Sequence, residues 1–130
     1  MIVADASAVL EILLRTPKAE VLDEPLLSST AALHAPHVID VEVTQALRRL
    51  VLNGDLGERR AAQAIDDFRN IRIERHAHMD FLTRAWQLRS AMTAYDAMYV
   101  ALAEALEALL VTCDVKLSRA HGHGAVIRAV

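Results

Sequence analysis

Several residue types are scarce in this chain of 130 residues, and each scarcity excludes a class of protein. A single cysteine, Cys113, excludes an internal disulfide and every paired-cysteine metal or redox motif. Aromatic residues make up only 4%, against 54% hydrophobic residues, a balance that favours packed helices over a sandwich of strands. No apolar run approaches the roughly eighteen residues of a membrane span, and the first residues lack the basic segment of a signal peptide. We therefore expect a helix-rich cytoplasmic protein that makes no use of a membrane.

An excess of positive charge is also missing. The chain carries 14 basic and 17 acidic residues and a net charge of −3, which argues against a protein that coats nucleic acid nonspecifically. If four of the acids are set aside for a metal site, 14 basic residues face 13 acidic ones, and twelve of the basic residues are arginine. Specific contact with phosphate groups therefore stays open.

Glycine and proline are few, with four and three residues, and they fall between the periodic segments, so we expect one domain over residues 1–130. The hydrophobic pattern predicts strands at residues 2–4, 33–35, 71–74, 109–112 and 125–130. It predicts helices at residues 8–14, 18–29, 38–52, 58–70, 80–92, 93–106 and 115–120. Strands that alternate with helices of these lengths predict an α/β fold, a three-layer α/β/α arrangement with a central parallel sheet.

The helical pattern also predicts which side chains face the core. In the helix over residues 38–52, the apolar side is expected to hold Val38, Val41, Ala46 and Leu50. Trp86, in the helix over residues 80–92, is expected in the core together with Met98 rather than on a surface that stacks bases.

Four acids are placed at the junctions between strands and helices. Asp5 and Asp114 follow strands, and Glu42 and Asp96 lie early in helices. Each alone has a structural explanation, because acids cap helices and complement the helix dipole. For Asp96, the Thr93-x-x-Asp96 spacing approximates a capping box. In a parallel sheet, however, the carboxyl ends of the strands and the first turns of the following helices open on the same edge, so the four acids are expected to converge.

Four carboxylates that lie close together repel one another, and this repulsion must be offset. Two like charges about 4 Å apart repel by about 4 kcal/mol at an effective dielectric near 20, whereas a helix N-terminus offsets only about 0.3–1 kcal/mol. The cluster must therefore hold protons or bind a cation. Carboxylates are hard oxygen ligands that suit Mg²⁺ or Mn²⁺, and such an ion supports phosphodiester hydrolysis.

Four short motifs carry these acids, and their order resembles that of the PIN-domain nucleases. The motifs are IVADAS around Asp5, PHVIDVEVTQAL around Glu42, TAYDAMYVALAEAL around Asp96 and LLVTCDVKL around Asp114. Within that family the chain is most similar to the VapC toxins of bacterial toxin–antitoxin pairs, and the resemblance spans essentially the whole chain.

The resemblance implies a metal-dependent endoribonuclease in which one or two Mg²⁺ or Mn²⁺ ions are held by Asp5, Glu42, Asp96 and Asp114. It also implies a homodimer that is inhibited by a cognate VapB-like antitoxin. Ser7 and Thr112 match small hydroxyl positions that would orient the ligands. Some relatives carry a further acid after the last motif, where this chain has Lys116 and Leu117.

Other polar residues compete for a role. Asp40 lies two residues before Glu42 and so on another face of the helix, and we expect Glu42 to face the site and Asp40 to be a cap or a first-turn acid. Arg89 could contact a substrate phosphate as a planar fork, but we favour a solvated or ion-paired side chain at this position. His76, His78, His121 and His123 are expected to be loop histidines, because no further ligands complete a zinc pattern.

Two other functions stay open at this point. A PIN-like scaffold could bind a partner without cleaving RNA. An aspartyl-phosphate phosphotransfer domain also places acids at strand ends beside Mg²⁺, but Ser7 stands where haloacid-dehalogenase-type enzymes carry a second aspartate.

Overall fold

Five parallel strands form the centre of the computed structural model, which describes residues 1–28 and 30–130. The strands are β1 Ile2–Ala4, β2 Leu33–Pro36, β3 Ile73–His76, β4 Leu109–Thr112 and β5 Val126–Ala129. Their order in the sheet is β3-β2-β1-β4-β5. Strand β1 is central because all three of its residues are apolar and buried, as a strand covered on both faces requires.

Helices flank the sheet on the return path from each strand to the next. In the described residues the α-helices are α1 Ala6–Leu14, α2 Ala19–Asp23, α3 Ile39–Leu52, α4 Glu58–Asn70, α5 Leu82–Gln87, α6 Ala94–Leu106 and α7 Val115–Ser118. The predicted α/β fold with a central parallel sheet in three layers is confirmed. No helix within residues 1–28 and 30–130 is long and apolar enough to cross a membrane.

Helix α6 has more buried residues than any other helix in the described part of the chain. Most of its residues are small or apolar, and six of them are buried, including Tyr99 and Leu102. The helix packs against β1, β2 and β4, so its first turn is fixed beside the carboxyl ends of the central strands. An apolar helix of this kind is stable only in such a position.

The predicted helix over residues 18–29 is shorter than expected. Helix α2 ends at Asp23, and a single π-helical turn follows over Glu24–Ser28. Pro25 has no backbone N–H and its ring disfavours a continuing α-helix, which explains the change. Ser29, the predicted end of this helix, lies outside the described residues.

Strand β3 begins two residues later than the predicted 71–74. Ile71 instead ends α4, and its amide donates to the carbonyls of Asp67 and Phe68. The strand then extends to His76 because its polar residues pair with β2, where Pro36 is the partner of His76. A shift of two residues leaves each side chain on its predicted face, since side chains alternate with a period of two.

The predicted helix over residues 80–92 breaks into shorter pieces. A 3₁₀ turn over Met79–Phe81 precedes α5, which ends at Gln87. The amides of Leu88 and Arg89 then donate to carbonyls three residues earlier, so tight turns lead into α6. The prediction for Trp86 was wrong, because its side chain is 68% exposed, whereas Met98 does pack against the core.

The buried face of α3 also differs from the prediction. Ile39, Val43 and Leu47 are buried, whereas Val41 is 68% exposed. Val38, Ala46 and Leu50 are half-buried at the border. Helix α3 is thus rotated about its axis relative to the prediction. As a result Glu42, three residues after Ile39, lies on the side of the helix that faces the sheet edge.

Candidate metal and active site

Asp5 follows β1 directly and caps the N-terminus of α1. Its Oδ1 accepts hydrogen bonds from the Ala8 amide at 3.1 Å and the Ser7 hydroxyl at 2.5 Å, and its Oδ2 accepts one from the Thr112 hydroxyl at 2.5 Å. The residue is only 6% exposed. Burial raises the pKa of the Asp5 carboxyl above its usual range, and these hydrogen bonds oppose part of the rise.

The hydroxyls of Ser7 and Thr112 also fix the backbone that leads to Asp114. The Thr112 Oγ1 accepts from the Asp114 amide at 2.9 Å, and the Ser7 Oγ accepts from the Cys113 amide at 2.9 Å. A hydroxyl can donate once and accept twice, so each of these side chains can serve both partners at once. Asp114 is thereby held at the same edge as Asp5.

Glu42 reaches the same edge from the first turn of α3. Its Oε1 accepts a hydrogen bond from the Tyr99 hydroxyl at 2.8 Å. Burial raises the pKa of the Glu42 carboxyl, and the negative charges of Asp5 and Asp96 raise it further, while the bond from Tyr99 lowers it. The neighbouring Asp40 instead pairs with Arg75 at 2.8 Å. Of the two acids that competed for this position, Glu42 is the one that faces the other carboxylates.

Asp96 lies in the first turn of α6, as predicted, and Thr93 caps the helix by accepting the Asp96 amide at 3.2 Å. Burial raises the pKa of the Asp96 carboxyl, followed by repulsion from Asp114 and Asp5, and the Thr93 hydroxyl lowers it. Asp96 therefore combines two roles: Thr93 interacts with both its amide and its carboxylate in the helix cap, and that carboxylate also lies close enough to Asp114 and Asp5 to be repelled by them.

Asp114 follows β4 and caps the short helix α7. Its Oδ1 accepts the Lys116 amide at 2.9 Å, which leaves the other carboxylate oxygen free of this cap. Lys116 is exposed and Leu117 is buried in the core. Helix α7, which follows Asp114, thus adds no further carboxylate to the cluster.

The four carboxylates are the right donors for a hard divalent ion. They come from four different elements, and three of them have pKa values raised by burial or by one another. Within the described residues, the one set of three ligand atoms that all lie within 4.8 Å of one another is elsewhere, at His34, Glu74 and His76. No three of the four acids form a set as close as this one. Flexible carboxylate rotamers can close around an oxygen-preferring ion, so the donor set fits Mg²⁺ or Mn²⁺.

The comparison with known proteins agrees with this geometry. A family model described as the PIN domain matches residues 2–122. The chain belongs to the PIN-domain family. This PIN domain is 40% identical over 130 residues to Ribonuclease VapC12 of Mycobacterium tuberculosis, covering 100% of this chain and 99% of that protein.

Solved structures with low sequence identity share the fold. The crystal structure of VapBC2 from Rickettsia felis bound to a DNA fragment from their promoter matches with a TM-score of 0.72 at 14% identity, over 100% of this chain and 99% of that one. Mycobacterium tuberculosis VapC20, described as a Sarcin-Ricin loop cleaving toxin, matches with a TM-score of 0.71 at 14% identity, over 92% and 94% of the two chains. These likenesses confirm the fold of the PIN domain.

Arg89 lies on the surface of the PIN domain, in the turns between α5 and α6. Its guanidinium lies over the exposed ring of Trp86, 4.7 Å from the ring centroid, and donates to the Trp86 carbonyl at 2.9 Å. The stacked arrangement leaves the edge of the guanidinium in solvent. The predicted alternatives were a solvated or ion-paired side chain and a phosphate contact, and the surface position is compatible with both.

Tyr99 is a site residue that sequence reasoning missed. It lies three residues after Asp96 on the same face of α6, and its ring is 1% exposed. A buried tyrosine hydroxyl needs a partner, and that requirement was the available signal. Burial and the negative charge of Glu42 raise the pKa of the Tyr99 phenol, which keeps it protonated and able to donate.

The histidine predictions are partly wrong. His121 and His123 lie between α7 and β5 outside regular structure, and His78 follows β3, as expected of loop residues. His76, however, belongs to β3 and contacts His34 of β2. Only the register between β2 and β3 reveals this contact, because the two histidines are 42 residues apart in sequence.

Proposed function

We propose that this PIN domain is a metal-dependent endoribonuclease and the toxin of a VapBC-type toxin–antitoxin pair. The observation that carries the proposal is the convergence of four acids from four elements at the carboxyl edge of the sheet, with the pKa values of Asp5, Glu42 and Asp96 raised. Relatives named as ribonucleases support the same activity. Residues 1–130 would act as one domain in the cytoplasm.

The metal would be Mg²⁺ or Mn²⁺, held by Asp5, Glu42, Asp96 and Asp114. When bound, such an ion neutralises charge on an RNA phosphate and lowers the pKa of the attacking water. The carboxylates supply negative charge that favours a divalent cation over their own protonation at neutral pH. Binding would therefore relieve the repulsion that, after burial, raises the pKa values of Glu42 and Asp96.

Three hydroxyls of the chain orient the acids. Ser7 and Thr112 donate to the two different oxygens of Asp5, which fixes the plane of that carboxylate. Tyr99 donates to one oxygen of Glu42 and leaves the other for a ligand. Groups that orient ligands in this way contribute about 10–100-fold to metal affinity or activity in other proteins.

Arg89 would contact an RNA phosphate next to the acidic cluster. The planar guanidinium can donate two parallel hydrogen bonds to phosphate oxygens while its face stays on Trp86. The exposed indole of Trp86 adds a flat apolar surface on which an unpaired base can stack. The pair would bind single-stranded RNA at the entrance to the site.

The partners would be a VapB-like antitoxin and a second copy of the chain in a homodimer. Large apolar side chains are exposed on several elements, among them Val41, Leu82 and Tyr95, and burial of such side chains would favour contact with a partner. The Rickettsia felis neighbour was solved as a VapBC assembly, which supports an antitoxin partner for a chain of this fold.

The surroundings of Asp5 argue against an aspartyl-phosphate mechanism. A phosphoacceptor needs a carboxylate oxygen that is free to attack, whereas both oxygens of Asp5 accept short hydrogen bonds and the residue is buried. A PIN-like scaffold without activity would instead require that the acids hold no metal.

Cleavage of total cellular RNA by purified, antitoxin-free protein tests the proposal. We expect discrete fragments with Mg²⁺ or Mn²⁺, none with EDTA, and none from Asp5→Asn or Asp96→Asn. Asp40→Asn is the matched control, because Asp40 neighbours Glu42 but pairs with Arg75. Absence of cleavage by folded protein with either metal would favour the scaffold.

A further inference from the structure

Three potential metal ligands share one face of the sheet near its β3 edge, away from the four acids. His34 of β2 lies in register with Glu74 of β3, and His76 follows Glu74 by two residues. Side chains two residues apart in a strand point to the same face, and partners in register lie side by side. The sheet itself thus holds one nitrogen from each histidine and one carboxylate oxygen together.

The distances between these atoms match a small coordination sphere. The His34 Nδ1 is 2.9 Å from the His76 Nε2 and 3.7 Å from the Glu74 Oε2, and all three atoms lie within 4.8 Å of one another. Ligands bound tetrahedrally at 2.0–2.1 Å from a zinc ion are separated by about 3.3 Å. The two observed distances lie on either side of this value, and the third separation is at most 4.8 Å, so side-chain rotations would complete the arrangement.

The burial of the three side chains also suits a metal site with an open position. The side chain of His34 is buried at the floor, His76 is half-buried, and the side chain of Glu74 is 66% exposed at the rim. An ion can therefore enter from solvent through Glu74 and reach a nitrogen that is already fixed by the core. Two histidines and one carboxylate are the ligands of several zinc sites that keep a fourth position for water.

We propose that His34, Glu74 and His76 bind a divalent transition-metal ion of the zinc class, at a site distinct from the four acids. Imidazole nitrogen favours Zn²⁺, Co²⁺, Ni²⁺ and Cu²⁺, whereas Mg²⁺ prefers oxygen ligands in an octahedral shell. The two sites should therefore bind different metal ions. The proposal does not depend on the nuclease activity proposed above.

The surroundings of His34 determine how tightly we expect the metal ion to bind. Its other ring nitrogen, Nε2, is buried without a hydrogen-bond partner in the described part of the chain. Histidine ligands are usually supported by such a bond, and its loss lowers metal affinity by about 10–100-fold in other proteins. We therefore expect binding at micromolar rather than nanomolar concentrations of metal.

Metal binding here would stabilise the sheet edge. Strand β3 is at the edge of the sheet beside β2 in the part of the chain that the structure describes, and the His76 carbonyl accepts the amide of His37, which precedes α3. A ligand that binds only the folded state raises its stability in proportion to the logarithm of ligand concentration. The melting temperature should therefore rise with Zn²⁺ or Co²⁺ while excess Mg²⁺ occupies the acidic site.

Titration with Co²⁺ in excess Mg²⁺, followed by visible absorption and calorimetry, tests this site. We expect one Co²⁺ per chain with the intense absorption of a four- or five-coordinate ion. Affinity should fall at least tenfold in His76→Ala and also in Glu74→Gln, which should fold as the wild type does because the Glu74 side chain is exposed. His121→Ala, which removes an exposed loop histidine, and Asp96→Asn, in the acidic site, should bind as the wild type does. Equal binding by the wild type, His76→Ala and Glu74→Gln would overturn the proposal, as would loss of Co²⁺ binding in Asp96→Asn.

Discussion

Replacement of Asp96 by asparagine should separate the effect of the acidic cluster on RNA cleavage from its effect on the stability of the protein. The substitution keeps the shape of the side chain and removes its charge. The Thr93 cap survives, because it uses the Asp96 backbone amide. We expect cleavage of RNA to be abolished while the metal-free protein stays as stable as the wild type or becomes more stable, a stability–function exchange.

The magnitude follows from two opposing electrostatic effects. Repulsion between two carboxylates is about 4 kcal/mol at 4 Å and an effective dielectric near 20, and it falls with distance and with exposure to water. Asp96 is half-exposed, so we discount its repulsion from Asp114 and Asp5 to about 1 kcal/mol in total. Loss of the favourable interaction with the α6 dipole removes about 0.3–1 kcal/mol. The net change is a gain between about zero and 0.7 kcal/mol, or up to about 3 °C in melting temperature.

The pH dependence gives this prediction a distinct signature. Burial and the charges of Asp114 and Asp5 raise the pKa of Asp96 above its ordinary value of 3.8, so the folded protein binds this proton more tightly than the unfolded chain does. The contribution of Asp96 to the stability of the wild type therefore falls as pH rises from about 4 through the folded-state pKa. Asparagine does not titrate. The advantage of Asp96→Asn should be largest at pH 7–8 and should diminish towards pH 4.

Thermal and denaturant unfolding in EDTA at several pH values measures this difference. A loss of more than about 2 kcal/mol in Asp96→Asn at every pH would refute the reasoning, because it would mean that the Asp96 carboxylate is a structural acceptor within the first turn of α6. Retained cleavage by the variant would equally contradict its proposed role as a metal ligand.

Three further substitutions test the groups around the acids. Tyr99→Phe removes the donor to Glu42 and should lower stability by about 1–2 kcal/mol and Mn²⁺ affinity by about tenfold, measured by denaturant unfolding and calorimetry. Thr112→Val keeps the shape of the side chain but leaves an oxygen of Asp5 buried without its donor, so we expect a loss of about 2–3 kcal/mol and at least tenfold slower cleavage. Arg89→Ala should raise the RNA concentration needed for half-maximal cleavage by about tenfold without changing stability, and an unchanged concentration dependence would exclude the proposed phosphate contact.

The sequence predicted the layers of the fold because local signals and tertiary packing agree in most elements. Strands β1 and β4 are short apolar runs that the sheet buries on both faces, and α4 has the same bounds as the predicted helix. The prediction failed where tertiary contacts override local pattern. Helix α5 ends early because the chain must turn before Thr93, and β3 extends over polar residues because β2 supplies hydrogen-bond partners.

The candidate acids could be named from the sequence because of where they lie in a parallel sheet. Asp5 and Asp114 follow strands directly, and the carboxyl edge of such a sheet collects whatever follows its strands. The residues that support the acids were harder to predict. Ser7 and Thr112 were expected from the resemblance, whereas the bond from Tyr99 to Glu42 joins residues 57 positions apart and depends on how α6 packs beside α3.

The surface position of Trp86 shows the limit of helical periodicity. Trp86 was expected in the core, but Ala85 and Leu88 are the buried residues of this segment and Trp86 is exposed. A helix as short as α5 can be rotated by its neighbours at little cost, since few buried side chains oppose the rotation. The same reasoning applies to Val41 on α3, whose predicted face is displaced by about one residue.

Binding of Mn²⁺ to the metal-free protein is the measurement that tests the central claim most directly, because the claim is that four acids act as one metal site. Calorimetry should show saturable Mn²⁺ binding that excess Mg²⁺ displaces. The affinity should fall at least tenfold in each of Asp5→Asn, Glu42→Gln, Asp96→Asn and Asp114→Asn, and should be unchanged in Asp40→Asn. Wild-type affinity in any folded variant of the four acids would contradict the account.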